Sequence, residues 1–204
     1  ANPTLACVDI KALCELGKKY QVYTAIDNTF PTPYFQRPLL LGCDFVIHST
    51  TKFINGHGNS IAGVIIGKDK AFMREKVWTT MKLAGTNCNP WDAWLTHNGL
   101  KTLTLRMDKH EENAQMLAEY LQKQDKIKLV NYLGLTDHSD HELAKKQMSG
   151  FGGMMSFELV GGLEAGIENK KKIKFCVLAP TLGDTDTLIL HPASMSHKNV
   201  ARDM

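Results

Sequence analysis

A chain of 204 residues, 43% of them hydrophobic, is long enough to bury a sizeable core, and its length admits one or two domains. A formal charge of +3, with no Lys/Arg stripe, excludes a nucleic-acid or anionic-membrane binder driven by net charge. No apolar run approaches the roughly 20 residues of a membrane span, and no basic-then-apolar signal segment opens the chain, so a cytoplasmic protein is expected.

In residues 8–19, Ile10, Leu13, Cys14 and Leu16 recur at helical spacing, and Gly17 with Lys18 and Lys19 closes the helix. Cys7, Cys14, Cys43, Cys88 and Cys176 are odd in number and lack paired Cys-x-x-Cys spacing. That pattern fits reduced thiols and argues against a zinc site or a disulfide framework, with Cys7 and Cys14 expected in the core. Residues 21–26 read as a buried strand stopping at Asp27, and a Pro-punctuated segment then returns the chain to a second strand at 43–48.

That second strand runs into His48-Ser49-Thr50-Thr51-Lys52 and then Asn55-Gly56-His57-Gly58, so it delivers a lysine into a tight loop. A solvated lysine is a protonated, poor nucleophile; desolvation or a neighbouring cation makes it useful as an amine or base. The two strands place the Asp27 carboxylate and the Lys52 amine at one sheet edge, with the hydroxyls of Ser49, Thr50 and Thr51 as a lining suited to an anion. Those are the parts needed to hold pyridoxal phosphate: an amine for its aldehyde, a carboxylate for its pyridine nitrogen and hydroxyls for its phosphate. Gly56-His57-Gly58 lacks the ending of a P-loop and reads as a turn, with His57 structural.

A strand follows at 60–66, and strand, helix, strand alternation predicts a parallel α/β sheet. Between residues 73 and 99, Trp78, Trp91 and Trp94 are each expected as core filling. Residues 104–124 form an amphipathic pattern suited to a helix linking two domains. Beyond Lys126 the style changes to short strands at 127–132, 154–160, 175–179 and 187–190 with a helix at 163–171, a small α/β domain. His138 and His141 make a weak metal signal and are read as a solvent-exposed helix start, and Lys170-Lys171-Lys172 as a solvated face.

The words Asp27-Asn28-Thr29-Phe30-Pro31-Thr32-Pro33-Tyr34-Phe35-Gln36-Arg37-Pro38, His48-Ser49-Thr50-Thr51-Lys52, Gly99-Leu100-Lys101-Thr102-Leu103, Gly150 to Glu158 and Leu182-Gly183-Asp184-Thr185-Asp186-Thr187-Leu188 resemble the Cys/Met-metabolism family of pyridoxal-phosphate enzymes. The resemblance runs the whole length of the chain. It implies a type I PLP-dependent transferase fold (aspartate aminotransferase-like), α/β with a mainly parallel sheet. Residues 1–125 would form the second half of the large cofactor domain with its linking helix, and 126–204 part of the C-terminal small domain.

The resemblance also assigns roles. Lys52 resembles the Schiff-base lysine that moves protons, and Asp27 the pyridinium partner, expected as a buried carboxylate facing a cation. Ser49 and Thr51 resemble phosphate contacts, Asn2 the Asn near the cofactor's 3′-oxygen, and Thr29 a residue beside the ring. Thr181 stands where relatives often carry a Ser that contacts the substrate carboxylate. The family's upstream phosphate loop and stacked tyrosine, and its downstream carboxylate-binding arginine, have no counterpart here, so a fragment of a longer chain is expected.

Within the family, Pro90-Trp91-Asp92-Ala93-Trp94-Leu95 and Gly150 to Phe157 look closest to the methionine γ-lyase branch. That implies elimination of methanethiol from L-methionine to give 2-oxobutanoate and ammonia, by a homotetramer built from dimers. Cystathionine γ-lyase and an O-acetylhomoserine sulfhydrylase or cystathionine γ-synthase type of transferase are the alternatives. An inert binding remnant is the reading from another class, and the matched set of Lys52, Asp27, Ser49 and Thr51 counts against it.

Overall fold

The computed structural model describes residues 3–197, so Asn2 lies outside the described residues. Helix α1 (Ile10–Lys19) starts where Asp9 accepts the Ala12 N–H at 2.9 Å and ends on Lys18 and Lys19, cations that suit its carbonyl end. Ile10 and Cys14 pack with Cys43 in one buried cluster, whereas Cys7 precedes the helix and is only half-buried.

Strand β1 is short (Ala25–Asp27) and does not begin at residue 21. The Val22 N–H returns to Gly17 O at 2.9 Å and closes the helix, and Asp44 takes the Thr24 N–H and hydroxyl at 2.8 and 2.9 Å, so only the Thr24 carbonyl, which accepts the Phe45 N–H at 3.0 Å, reaches the neighbouring strand. Helix α2 (Thr32–Phe35) and a 3₁₀ turn at Pro38–Leu41 lead to β2 (Phe45–Ser49), parallel to β1 with Asp27 opposite Ile47. Buried Asn28 fastens the intervening turn: its Nδ2 donates to Thr32 O and Gln36 O at 3.1 and 2.8 Å, and Gln36 Nε2 donates back to its Oδ1 at 2.7 Å.

Strand β3 (Gly63–Gly67) completes a sheet ordered β1-β2-β3, but it runs antiparallel to β2. The parallel expectation fails there because the connection is a set of turns with no crossover helix. Just before Gly63 the pairing becomes irregular: Ala62 O accepts the Thr51 N–H at 3.2 Å, but the Ala62 N–H goes to the Thr51 side chain, Oγ1, at 3.0 Å.

Helix α3 (Lys70–Phe72), a π-helical stretch (Met73–Trp78) and α4 (Thr79–Ala84) precede α5 (Pro90–Leu100), where Asn89 caps the Asp92 N–H at 2.9 Å. The tryptophans are not core filling: Trp78, Trp91 and Trp94 are 52%, 66% and 55% exposed, and Trp91 and Trp94 stack on each other at 5.1 Å instead of entering a buried cluster.

The long α6 (Leu103–Leu121) serves two clusters. Leu103 and Met107 pack with Phe35 and Phe53 under the Lys52 loop, and Ala114 and Ala118 pack with Val130, Tyr132 and Leu135. Each large apolar side chain so buried contributes about 1.5–3 kcal/mol. Strands β4 (Ile127–Asn131) and β5 (Ser156–Leu159) form an antiparallel ribbon. Helix α7 (His141–Gln147) sits between them in sequence, and α8 (Gly162–Lys172), the parallel pair β6 (Val177–Leu178) and β7 (Leu188–Ile189), and a 3₁₀ turn at Pro192–Ser194 follow.

His141 does open a helix, but it is buried, with Nδ1 2.7 Å from Leu133 O and its ring stacked on Phe151 at 5.2 Å. Backbone satisfaction, not solvent, explains that histidine. Among the described residues no group of three or more His, Cys, Asp or Glu side chains is arranged to hold a metal ion, and no helix is long and apolar enough to cross a membrane.

Candidate active site

The Lys52 loop is a series of turns hung on buried anchors. The Lys52, Asn55 and Gly56 N–H groups bond Ser49 O, Thr50 O and Lys52 O at 3.2, 3.0 and 2.8 Å, and Gly56 and Gly58 take the positive φ values of +70° and +62° that such a reversal needs. Phe53, Ile54 and Asn55 are buried, so the loop is fixed from behind. Lys52 is half-buried, and its Nζ donates to Thr181 Oγ1 at 2.8 Å across 129 residues of sequence.

Thr181 reaches that amine because its segment lies directly on the Lys52 backbone. Gly183 has φ +85°, and a Cβ there would meet Phe53 N and come within 2.8 Å of Lys52 C. No other residue type fits without moving main chain.

The second half of the site is a relay between the ends of β1 and β2. The Ser49 N–H donates to Thr29 Oγ1 at 2.9 Å, and the Thr29 hydroxyl and N–H donate to Asp27 Oδ1 at 2.6 and 3.0 Å. Asp27 is therefore fixed, but it is exposed and not buried, because β1 is the edge of its sheet and its last residue opens outward. No hydrogen bond from the described residues reaches its Oδ2. Behind it His48 is buried, and that burial lowers its pKa and disfavours the charged imidazole, against the opposing pull of the nearby Asp27 charge.

The hydroxyls divide. Thr51 is engaged with Ala62 on both its donor and acceptor sides, and the Thr50 hydroxyl is buried without a partner among the described residues. Ser49 Oγ makes no hydrogen bond among them. Ser49, Thr51, Lys52 and Thr181 line one open cleft of about 810 Å³ together with Asp92 and Asp184. Asp27 and Thr29 are tied to it through Ser49 without lining it. Asn2 falls outside the described residues.

Asp92, Asp184 and Arg106 were not singled out in the sequence. Asp184 Oδ2 sits where a Cβ on Gly58 would go, and the only signal available was its place after the Gly183 turn. Arg106 carried a stronger one, a charge between Leu103 and Met107 on the apolar side of α6. His57 behaves as a turn residue, exposed with Nδ1 2.6 Å from Asn55 O. On the Lys170-Lys171-Lys172 run, Lys171 pairs with Glu168 at the surface.

The chemistry open to this arrangement is that of an amine and a free hydroxyl at the mouth of a cleft, with a fixed carboxylate tied to that hydroxyl's residue through Thr29. A family model described as "Cys/Met metabolism PLP-dependent enzyme" matches residues 1–204. The chain is 47% identical to the L-methionine gamma-lyase of Porphyromonas gingivalis over 198 residues, 97% of this chain and 50% of that protein. It is 40% identical to the cystathionine beta-lyase of Lactococcus lactis subsp. cremoris over 206 residues, 100% of this chain and 53% of that one. The crystal structure of cystathionine gamma synthase from Xanthomonas oryzae pv. oryzae in complex with cystathionine superposes with a TM-score of 0.94 at 41% identity, covering 100% of this chain and 52% of that one. The chain spans about half the length of the curated relatives it matches.

Proposed function

This chain belongs to the Cys/Met metabolism family of PLP-dependent enzymes, and from that premise we propose that it is part of a carbon–sulfur lyase eliminating methanethiol from L-methionine to give 2-oxobutanoate and ammonia. The observation that carries the reading is the 2.8 Å bond from Lys52 Nζ to Thr181 Oγ1 in a cleft bordered by Ser49. The donor set suits pyridoxal phosphate. Lys52 offers the amine for its aldehyde, Asp27 an uncommitted oxygen for its pyridine nitrogen, Ser49 a free hydroxyl for its phosphate, and Thr29 a place beside the ring. Thr51 as placed gives its proton to Ala62 O, so its support of a phosphate is through the shape of the loop.

When bound, the cofactor supplies an electron sink for negative charge at the substrate Cα. Lys52 Nζ is the base that takes the Cα proton and carries protons toward the departing side chain. Thr181 Oγ1 accepts from that amine, which leaves its own O–H to donate to the substrate carboxylate. Thr29 holds Asp27 Oδ1 with two donors, so Oδ2 is the oxygen left to accept a hydrogen bond from the cofactor's protonated nitrogen.

Asp27→Ala is expected to weaken pyridoxal phosphate binding about 10- to 100-fold, the worth of a charge-assisted hydrogen bond. Titration of the cofactor's absorbance measures it, and parent-level affinity with parent-level turnover would refute the pairing. We further read the intact protein as a cytoplasmic homotetramer, a dimer of dimers, with residues 1–125 in its cofactor domain and 126–204 in its small domain. The assignment of substrate is tested on the intact protein by offering L-methionine, L-cystathionine and O-acetyl-L-homoserine with sulfide in competition. Methanethiol with 2-oxobutanoate at the highest kcat/KM supports the γ-lyase. Cysteine or homocysteine as the main product moves it to the cystathionine γ-lyase or sulfhydrylase branch.

A further inference from the structure

Arg106, on the face of α6 that underlies the site, hydrogen-bonds neither Lys52 Nζ nor a residue lining the cleft, yet four of its hydrogen bonds converge on the loop that carries the lysine and on what packs against it. Its Nη1 donates to Phe53 O at 2.6 Å, and its Nη2 to Ile54 O at 3.2 Å and Gly99 O at 2.8 Å. Its Nε donates to Thr102 Oγ1 at 3.1 Å. The two residues after Lys52 thus turn their carbonyls inward onto a single guanidinium, and Phe53 and Ile54 are buried, so nothing else among the described residues replaces that fork.

Glycines complete the clamp. A Cβ at Gly99 would come within 2.7 Å of Asn55 C, one at Gly56 would meet Arg106 Nη1, and Gly183 closes on Lys52 and Phe53 from the other side. Burial disfavours the Arg106 charge, and the Asp184 carboxylate offsets part of that cost.

We propose that Arg106 is a positioning residue, a peg that fixes the carbonyls of Phe53 and Ile54 so that Lys52 Nζ is held toward Thr181. The proposal rests on the role given to Lys52 above. Lysine in place of Arg106 keeps the charge but offers a point donor without the planar fork, so the loop gains freedom while the charge balance of the site is kept.

The test is Arg106→Lys in the intact protein, read in two ways. In cofactor-free protein, amide hydrogen exchange at Asn55 and Gly56 is expected to accelerate about 10-fold, with β1 and β2 unchanged, as for local opening of one segment. In cofactor-loaded protein, kcat is expected to fall about 10²-fold with KM little changed, the size of effect produced by misplacing a reacting group by an ångström. The pH at which the Lys52-linked cofactor changes absorbance is expected to shift as well. A lowered melting temperature with parent-like exchange, absorbance titration and kcat would overturn the proposal. Should Arg106→Lys lose its fold, Thr102→Val, which removes the Nε acceptor and the Thr102 hydroxyl's 3.3 Å bond to Gly99 O but leaves the Nη donors to Phe53 O and Ile54 O, must show the same changes at smaller size, and their absence overturns the proposal equally. A parent protein that takes up no cofactor at Lys52 overturns the functional reading, and the exchange comparison still decides the role of Arg106 in the loop.

Discussion

Lys52→Ala is expected to reduce turnover of the intact protein at least about 10²-fold, the usual contribution of a positioned acid–base group. Turns bonded to Ser49, Thr50 and Lys52 carbonyls, with Phe53, Ile54 and Asn55 buried behind them, fix the lysine at the cleft mouth. Alanine removes the amine and leaves those anchors in place, so the variant is expected to melt at close to the parent temperature. Steady-state assay of product formation measures the loss, and activity above about one percent of the parent's would contradict the assigned role.

Gly183→Ala is expected to produce a comparable loss by a different route. The position has φ +85°, and the added Cβ meets the backbone of Lys52 and Phe53 and no side chain able to swing away. Strain of this kind costs about 1–3 kcal/mol if the conformation is kept. Lifting the exposed segment around Thr181 relieves it, and that breaks the bond from Lys52 Nζ. The expected result is a kcat about 10²-fold lower with modest loss of stability. Gly85→Ala is the control. Gly85 also has positive φ, +67°, but its Cβ would meet nothing within 4 Å, so strain without collision should leave kcat alone. Equal effects from the two substitutions would show that the close approach of Gly183 is irrelevant.

Much of this site is written in short words, and short words were legible. The strand read at 43–48 and found at Phe45–Ser49 and the turn glycines Gly56 and Gly58 follow from local pattern, an apolar run and then residues that permit reversal, and the parallel pairing of β1 with β2 from the alternation of strand and helix. Helices α1 and α6 were legible for the same reason, with apolar residues at helical spacing and a recognisable end on Lys18 and Lys19.

What was not legible depends on contacts distant in sequence. The exposure of Asp27 follows from β1 being an edge strand, a property of sheet order and not of the residues around it. The engagement of Thr51 with Ala62 makes the pairing irregular just before β3, and nothing in either residue announces the other. Burial of His141 required a carbonyl from Leu133 and a ring from Phe151. The tryptophans misled because size and apolarity argue for a core only when a partner surface exists within the chain. Arg106 is legible only in part. A cation between Leu103 and Met107 on an amphipathic helix breaks the pattern, and such a break has a cause in three-dimensional structure, here three carbonyls from two other stretches of chain.

Lys52 is proposed as the amine that holds the cofactor. That role is tested most directly by reducing the intact, pyridoxal phosphate-loaded protein with borohydride, digesting it and mapping the modified peptide by mass. The account predicts a single stable adduct on Lys52 Nζ, in the peptide that also contains Phe53 and Ile54. An unmodified Lys52, with the adduct on another lysine or on none, would contradict it.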